Sequence, residues 1–227
     1  ESDRMAYLLD TMTPERVDGQ RDVVKNERRQ GIENRPYGLP ELELDSMLFP
    51  PGHPYSLSTI RPRDDLTAAS HEDVQALFRL EVPEIQSGLV EKWFAEVPRG
   101  KPVPPVAPPA AMLTEVTRKT MTDKVQLPRL YLGWLTPATY RPGDAALDIV
   151  ASLLTGGKNS RLYKRLVYDL QIAQEVYAYQ QSQALGSAFM LVATARPGKS
   201  LDEIQKVIDE EIERLAATPA EPREIER

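Results

Sequence analysis

The chain contains no cysteine, and this absence removes a whole range of chemistry. Without cysteine there is no disulfide framework, no thiolate metal ligand and no cysteine nucleophile. Histidine is scarce as well, since there are only two, His53 and His71, 18 residues apart. Two histidine ligands on one helical face are spaced i, i+4 instead. We therefore expect both to be surface or loop-packing histidines.

Long apolar runs and an excess of basic charge are also missing. No run approaches the roughly 20 residues that a membrane-spanning helix needs, so we expect no membrane span. The formal net charge is −6, whereas proteins that bind nucleic acid through its phosphates are usually basic. We therefore expect no nucleic-acid partner.

Two common catalytic motifs are absent too. Gly157-Lys158 is followed by Asn159, and Ser152 stands where a phosphate-binding P-loop has its first glycine. No G-x-S-x-G nucleophile motif occurs either. The pair Gly156-Gly157 is better explained as a turn between two helices.

The composition that is present is that of a globular protein. The 227 residues are 41% hydrophobic and 27% charged, which suffices for a sizeable core. Helical and strand patterns are mixed, and the strands come in hairpin-like pairs without regular βαβ alternation. This order predicts an α+β fold with an antiparallel sheet.

A proline-rich stretch divides the chain. Six prolines lie between Pro98 and Pro109, and such a segment is a semi-extended spacer. We therefore predict one domain in residues 1–97, a linker in 98–112 and a second, incomplete domain in 113–227. Neither end of the chain resembles a natural boundary, so we expect a fragment of a longer protein.

The two predicted domains differ in their patterns. Helical patterns dominate the first, at residues 1–10, 14–32 and 41–49 and in a helix capped by Ser70. The second combines strands with helices. Its strands are predicted at 115–119, 125–135, 175–181 and 187–195, its helices at 145–154 and 160–170, and a further helix opens at the capping box of Ser200 and Glu203.

The helix predicted over residues 14–32 carries the candidate functional residue. Thr13-Pro14 is a typical helix start. At about 100° per residue, Glu27 falls in the middle of an otherwise largely apolar face, which is formed by Val17, Gln20, Val23, Val24 and Gly31. A carboxylate in such a place is costly unless it is paired or binds a metal. Glu27 is therefore expected to meet an arginine, to cap a neighbouring helix or to bind a metal ion.

The chain resembles the pitrilysin/insulinase family of zinc metallopeptidases over nearly its whole length. The combination of segments is more specific than any one of them. They are Glu1 to Met5, Gln20 to Gln30, Asn34 to Gly38, the run Gly52-His53-Pro54-Tyr55-Ser56, and Gly156 to Tyr163. The resemblance implies two related domains, each a two-layer α/β unit with an antiparallel sheet, as in pitrilysin and mitochondrial-processing-peptidase-like proteins.

The resemblance also assigns a role to Glu27. In that family an HxxEH helix supplies two zinc histidines and a general base, and a later helix supplies a glutamate as third ligand. Glu27 matches this third ligand. Many members carry another glutamate seven residues earlier, where this chain has Gln20, so any electrostatic contribution near the metal is weakened there. No HxxEH occurs in the sequence, so we expect it upstream of Glu1 and no zinc bound to this fragment.

Other positions depart from the family pattern. An arginine and a tyrosine that hold the substrate in relatives correspond to Val167 and Gln174, unless Arg165 with Tyr168 or Tyr177 takes their place. Relatives usually have an extended segment after Leu80, whereas Glu81-Val82-Pro83-Glu84 follows directly here, so the segment is either deleted or skipped in this sequence.

The resemblance implies a parent zinc metalloendopeptidase that cleaves peptides or small unfolded proteins, with this segment inactive on its own. The alternative is a non-catalytic scaffold or partner subunit of a heterodimeric peptidase. Retention of Glu27 together with loss of the arginine and tyrosine leads us to expect a homologous partner subunit. A periplasmic location is favoured by the resemblance.

Overall fold

The structure is a computed structural model that describes residues 2–78, 92–96, 102, 104–218 and 220–225. Contacts between residues divide the chain into two units. The helical unit comprises Glu1–Arg35 and Ser58–Ala107, and the sheet unit comprises Pro36–Leu57 and Pro108–Arg227. Within the described ranges, no helix has both the length and the hydropathy to cross a membrane. The departure expected after Leu80 lies outside the described residues.

The helical unit consists of short helices. The helix predicted over residues 14–32 is confirmed, as α2 followed by a π-helical turn. Thr13 caps α2 by accepting a hydrogen bond from the Arg16 backbone N–H, and Pro14 occupies its first turn. The elements are α1 (Ser2–Thr11), α2 (Pro14–Arg28), the π-helical turn (Arg29–Glu33), α4 (Arg63–Ala68) and α5 (His71–Phe78).

The sheet unit begins with a helix from the predicted first domain. This helix, α3 (Pro40–Leu48), precedes a 3₁₀ turn at Pro54–Ser56. The remaining elements lie after the proline-rich stretch. They are β1 (Arg129–Thr136), α6 (Asp144–Thr155), a π-helix (Tyr163–Asp169), β2 (Ala173–Gln181), β3 (Ser187–Ala195), α7 (Leu201–Ala217) and α8 (Pro222–Ile225).

The three strands form one antiparallel sheet with the order β1-β3-β2. The register pairs Leu132 with Leu191 and Ala178 with Leu191 from the other side. Since both outer strands run antiparallel to β3, they are parallel to each other. The helices together with this antiparallel sheet confirm the predicted α+β fold.

The two faces of the sheet pack against different elements. On one face, Leu191 and Ala193 of β3 join a core with α6, the π-helix and α7. On the other face, Ala188 and Met190 pack with residues of α3 and the following loop. Both sets follow the alternation of side chains along a strand, so β3, which is buried at every residue, is the centre of the unit.

Two predictions about the second half are corrected by the structure. The strand predicted at residues 115–119 is not formed, because this segment has no strand partner within the described residues and a strand needs one. The apolar pattern of the helix at 145–154 also predicts burial all round, but Ile149 on α6 is 50% exposed. The helix predicted at 160–170 is confirmed over residues 161–169, with a π-helical part at Tyr163–Asp169.

Candidate functional site

The face of α2 that carries Glu27 is open to solvent within the helical unit. Glu27 and Gln20 are both exposed, and Val23 is 48% exposed. Seven residues is close to two helical turns, so the side chains of Gln20 and Glu27 lie on the same side of the helix. The residue that α2 buries is instead Arg28.

The other carboxylates along this helix have partners, and Glu27 differs from them. Asp18 accepts from Arg21 at 2.7 Å, Asp22 lies 3.6 Å from the Lys25 ammonium, and Glu33 accepts from Arg28 at 3.0 Å. Among the described residues, no hydrogen bond or ion pair engages the Glu27 side chain. Neither the expected arginine partner nor the expected helix cap is therefore found for Glu27 among the described residues.

A single carboxylate does not make a zinc site. Zinc is held by three or four nitrogen, sulfur or oxygen ligands in tetrahedral geometry. The part of the chain that the structure describes contains no group of three His, Cys, Asp or Glu side chains that could hold a metal. An exposed, unpaired carboxylate nevertheless has the lone pairs that a zinc ligand needs, so Glu27 fits as one member of a set completed from elsewhere.

Both histidines have structural roles, as expected. His53 is 2% exposed and stacks on Phe49, with ring centroids 4.7 Å apart, while its Nδ1 accepts from the Tyr55 backbone N–H. The His71 Nε2 lies 3.0 Å from the Met12 carbonyl oxygen. Each ring is thus engaged by residues of its own unit.

Val167 and Gln174 occupy positions with different surroundings. Val167 lies on the π-helix and packs against the main core. Gln174 is exposed in β2, at an irregularity in the pairing with β3. Neither side chain can reproduce the charge of an arginine, and their role in substrate binding stays a prediction.

The alternative pair of Arg165 and a nearby tyrosine is not assembled by the fold. Arg165 is held by Glu210 and Glu211 of α7. Tyr177 lies on the opposite face of the sheet, where it stacks on Tyr179. Tyr168 is 67% exposed. Arg165 therefore makes its ion pairs on the side of the sheet that the helices cover.

The turn between α6 and the π-helix confirms the interpretation of the glycine pair. A Cβ on Gly156 would lie 2.5 Å from the Ser152 carbonyl oxygen, and Gly157 has φ +127°. Sequence reasoning missed the role of Arg161 just beyond, which donates two hydrogen bonds to Glu224. The signal that could have identified Arg161 is its position in the segment from Gly156 to Tyr163, which carries the family resemblance.

Comparison with known proteins decides the family. A family model described as the peptidase M16 inactive domain matches residues 83–227, more than half of the chain. The chain belongs to the peptidase M16 family. The M16 match confirms the pitrilysin/insulinase resemblance seen in the sequence, and the description of the matched domain agrees with a segment that is not itself catalytic.

Two bacterial species provide similar proteins for comparison with this M16 chain. It is 26% identical over 216 residues to the zinc protease PqqE of Helicobacter pylori, covering 86% of this chain and 48% of that protein. A crystal structure of a protease from Helicobacter pylori superposes with a TM-score of 0.76 at 24% identity, covering 94% of this chain and 55% of that one. The peptidase M16 inactive domain from Pseudomonas fluorescens gives 0.73 at 15% identity, covering 94% and 54%. The chain thus spans about half the length of these relatives.

Proposed function

We propose that the chain is part of a zinc metalloendopeptidase in which Glu27 is the third zinc ligand. The observation that carries the proposal is the Glu27 carboxylate, which is exposed on α2 and has no partner among the described residues. Membership of the M16 family and similarity to a zinc protease support the metal and the reaction class.

The residues of this chain supply one ligand and its setting. Bound zinc acts as a Lewis acid and activates the water that attacks a peptide bond. Glu27 contributes one oxygen and one negative charge, and α2 holds it rigidly because the helix is anchored by the buried Arg28. Gln20 contributes hydrogen-bonding capacity without charge. Peptides or small unfolded proteins are the proposed substrates, and the HxxEH segment comes from elsewhere in the parent protein.

The test is to measure zinc in the full-length protein carrying Glu27→Gln. Loss of the anionic ligand is expected to weaken zinc binding by at least about tenfold, since even residues that only orient ligands cost 10- to 100-fold. The readouts are zinc content after dialysis against a weak chelator and cleavage of an unstructured fluorogenic peptide. Asp22→Asn is the matched control, because Asp22 is an exposed carboxylate on the same helix pointing elsewhere. Wild-type zinc content in Glu27→Gln removes Glu27 from the ligand set.

A second candidate function is a non-catalytic partner subunit that retains the fold. It is favoured by the correspondence that the family resemblance implies, in which Val167 and Gln174 stand where relatives have an arginine and a tyrosine. The discriminating feature is the HxxEH motif of the parent gene, which is intact in an enzyme and degenerate in a scaffold.

A heterodimer of two homologous chains is compatible with both candidate functions, the zinc peptidase and the partner subunit. In this form, the parent protein supplies zinc through Glu27, and a homologous partner subunit supplies the arginine and tyrosine. The purified full-length chain is then expected to cleave the fluorogenic peptide weakly alone and strongly with its partner. Full activity of the chain by itself, unchanged by added partner, discards this arrangement. A periplasmic location remains a prediction, testable by cell fractionation.

A further inference from the structure

The helical turn that follows Glu27 is wound more widely than an α-helix. The Asn34 N–H donates to the Arg29 carbonyl at 2.8 Å, five residues back, and the turn Arg29–Glu33 is therefore π-helical. Such turns occur mostly as single insertions in α-helices and are frequent at functional sites. This one begins two residues after Glu27, so the contacts that hold it also orient the end of α2 that carries the candidate ligand.

The side chain of Arg28 spans this turn. Its Nε donates to Oε1 of Glu33 at 3.0 Å, and the two residues are five apart, as are the residues joined by the π-helical backbone bond. Ion pairs along an α-helix join residues three or four apart instead, so this pair suits the wider turn. The Arg28 side chain is only 10% exposed, and a partly buried pair is screened less than a surface pair.

The same guanidinium joins the turn to a distant segment of the helical unit. Its Nη1 donates to the Ile60 carbonyl at 2.5 Å and lies 3.4 Å from the Ser58 hydroxyl oxygen. These partners are 32 and 30 residues further along the chain. A planar guanidinium can hold the turn and the distant segment at once, because its N–H groups point in fixed directions, whereas an ammonium is a point charge.

A second arginine anchors α2 two turns earlier. The Arg21 Nη2 donates to the Ala69 carbonyl at 2.6 Å, and Arg21 and Arg28 are seven residues apart, so they lie on the same side of the helix. Glu27 directly precedes Arg28, and its side chain therefore leaves the helix about 100° away from the anchored side. With both anchors in place, α2 cannot turn about its axis, and the direction of the Glu27 side chain from the helix is fixed.

We propose that Arg28 is a positioning residue for Glu27, which holds the end of α2 so that the carboxylate points in the direction that a zinc ligand needs. This inference rests on the proposed function of Glu27. Ligands in a working site are held within about 0.5 Å of the productive position. A helix end that can turn presents its carboxylate correctly for only part of the time, and the apparent zinc affinity falls in proportion to that fraction.

A double-mutant cycle in the full-length protein separates positioning from a general structural role. The dissociation constant of zinc is measured by competition with a chromogenic chelator for wild type, Arg28→Met, Glu27→Gln and the double variant. Arg28→Met is expected to weaken zinc binding about tenfold, as residues that orient metal ligands do. In the Glu27→Gln background the same substitution is expected to change it less than about twofold, because Arg28 acts through Glu27. Equal losses in both backgrounds overturn the proposal.

The single variants distinguish failure of this proposal from failure of the proposed function. Wild-type zinc affinity in Glu27→Gln removes the ligand and with it the proposed function. Weakened binding in Glu27→Gln with wild-type affinity in Arg28→Met removes only the positioning role. Arg29→Met is the matched control, because Arg29 is the exposed neighbour and bonds only to Asn26 of the same helix. Arg28→Lys is expected to restore part of the affinity lost in Arg28→Met, since an ammonium cannot hold both partners.

A milder variant keeps the test valid if Arg28→Met does not fold. Glu33→Gln removes the charge across the π-helical turn and leaves the bond from Arg28 to Ile60. In the zinc-free protein, the Asn34 amide is expected to exchange its hydrogen at least about threefold faster, and zinc binding is expected to weaken. Asp22→Asn, which removes an exposed carboxylate paired with Lys25, is expected to change neither. Unchanged zinc affinity in Glu33→Gln, with or without faster exchange, contradicts the proposal.

Discussion

The carboxylates of the two units lie in opposite environments. In the sheet unit, Asp144 is 6% exposed and accepts hydrogen bonds from Gln180, Ser182 and the Tyr140 backbone. Glu211 in the same unit is 3% exposed among three arginines, Arg161, Arg165 and Arg214. Glu27 in the helical unit is exposed and has no partner among the described residues.

This difference separates structural acids from a candidate ligand. A buried carboxylate persists only when donors or cations satisfy it, and removing them costs stability. An exposed carboxylate without partners contributes little to folding. Substitution of Glu27 is therefore expected to change metal binding, whereas substitution of Asp144 or Glu211 is expected to change the free energy of unfolding.

The largest expected effect comes from the core of the sheet unit. Leu191 is fully buried at the centre of β3, and Leu191→Ala removes apolar contacts and leaves a cavity. We expect the free energy of unfolding to fall by about 3–4 kcal/mol, measured by urea denaturation. Val23→Ala on the open face of α2 is the matched truncation, for which a change below about 0.5 kcal/mol is expected. Equal losses for the two variants mean that the α2 face is covered.

The next effect concerns Glu211. Glu211→Gln leaves the arginines around it without their shared anion, so we expect a loss of about 2 kcal/mol in the free energy of unfolding. Glu213→Gln on the same helix serves as control, because Glu213 is exposed. If both variants are as stable as wild type, the three arginines are satisfied by other partners and the buried carboxylate is not structural.

A smaller effect, with a pH dependence, is expected at Asp45. Burial, with Glu41 adding like charge, raises the pKa of the Asp45 carboxyl to about 6. The folded state therefore binds a proton that the unfolded state releases, and stability falls as pH rises from about 4 to about 6. Asp45→Asn is expected to gain about 1 kcal/mol relative to wild type between pH 4 and pH 7, after allowance for solvent screening. Urea denaturation at the two pH values measures this gain.

Asp144 is the control for Asp45, because its effect on stability changes with pH in the opposite direction. Hydrogen bonds from Ser182 and Gln180, and from the Tyr140 backbone, lower the pKa of the Asp144 carboxyl below 3.8. Its contribution to stability is present above about pH 4 and is lost as pH falls through the folded-state pKa. Asp144→Asn is thus expected to lose stability relative to wild type at pH 7 and to recover toward it in acid. The same pH trend for both variants would contradict this assignment.

The smallest effect on stability is expected at Glu27 itself. Glu27→Gln removes no contact with a described residue, so the free energy of unfolding of this chain is expected to change by less than about 0.5 kcal/mol. Thermal denaturation of the zinc-free protein measures it. A large loss indicates that Glu27 has a structural partner and weakens its assignment as a ligand.

Local patterns predicted most of the elements correctly. The strand at 187–195 has the expected bounds, and the helix opened by Ser200 begins where expected, because a short apolar run and a capping residue are encoded by neighbouring residues. The strand at 115–119 was wrong, although its local pattern is similar, because a strand also depends on a distant partner. The sequence could not predict that α3 packs in the sheet unit, since local patterns do not encode packing partners.

The sequence by itself determined the fold class, the family and Glu27 as the candidate ligand, because periodicity and motif residues can be recognised one segment at a time. The tertiary structure decided which side chains are satisfied. It buried Arg28 in place of Glu27, placed Arg165 and Tyr177 on opposite faces of the sheet, and gave the segment at 115–119 no strand partner within the described residues. These outcomes depend on contacts between residues far apart in the chain, where burial and pairing are settled together.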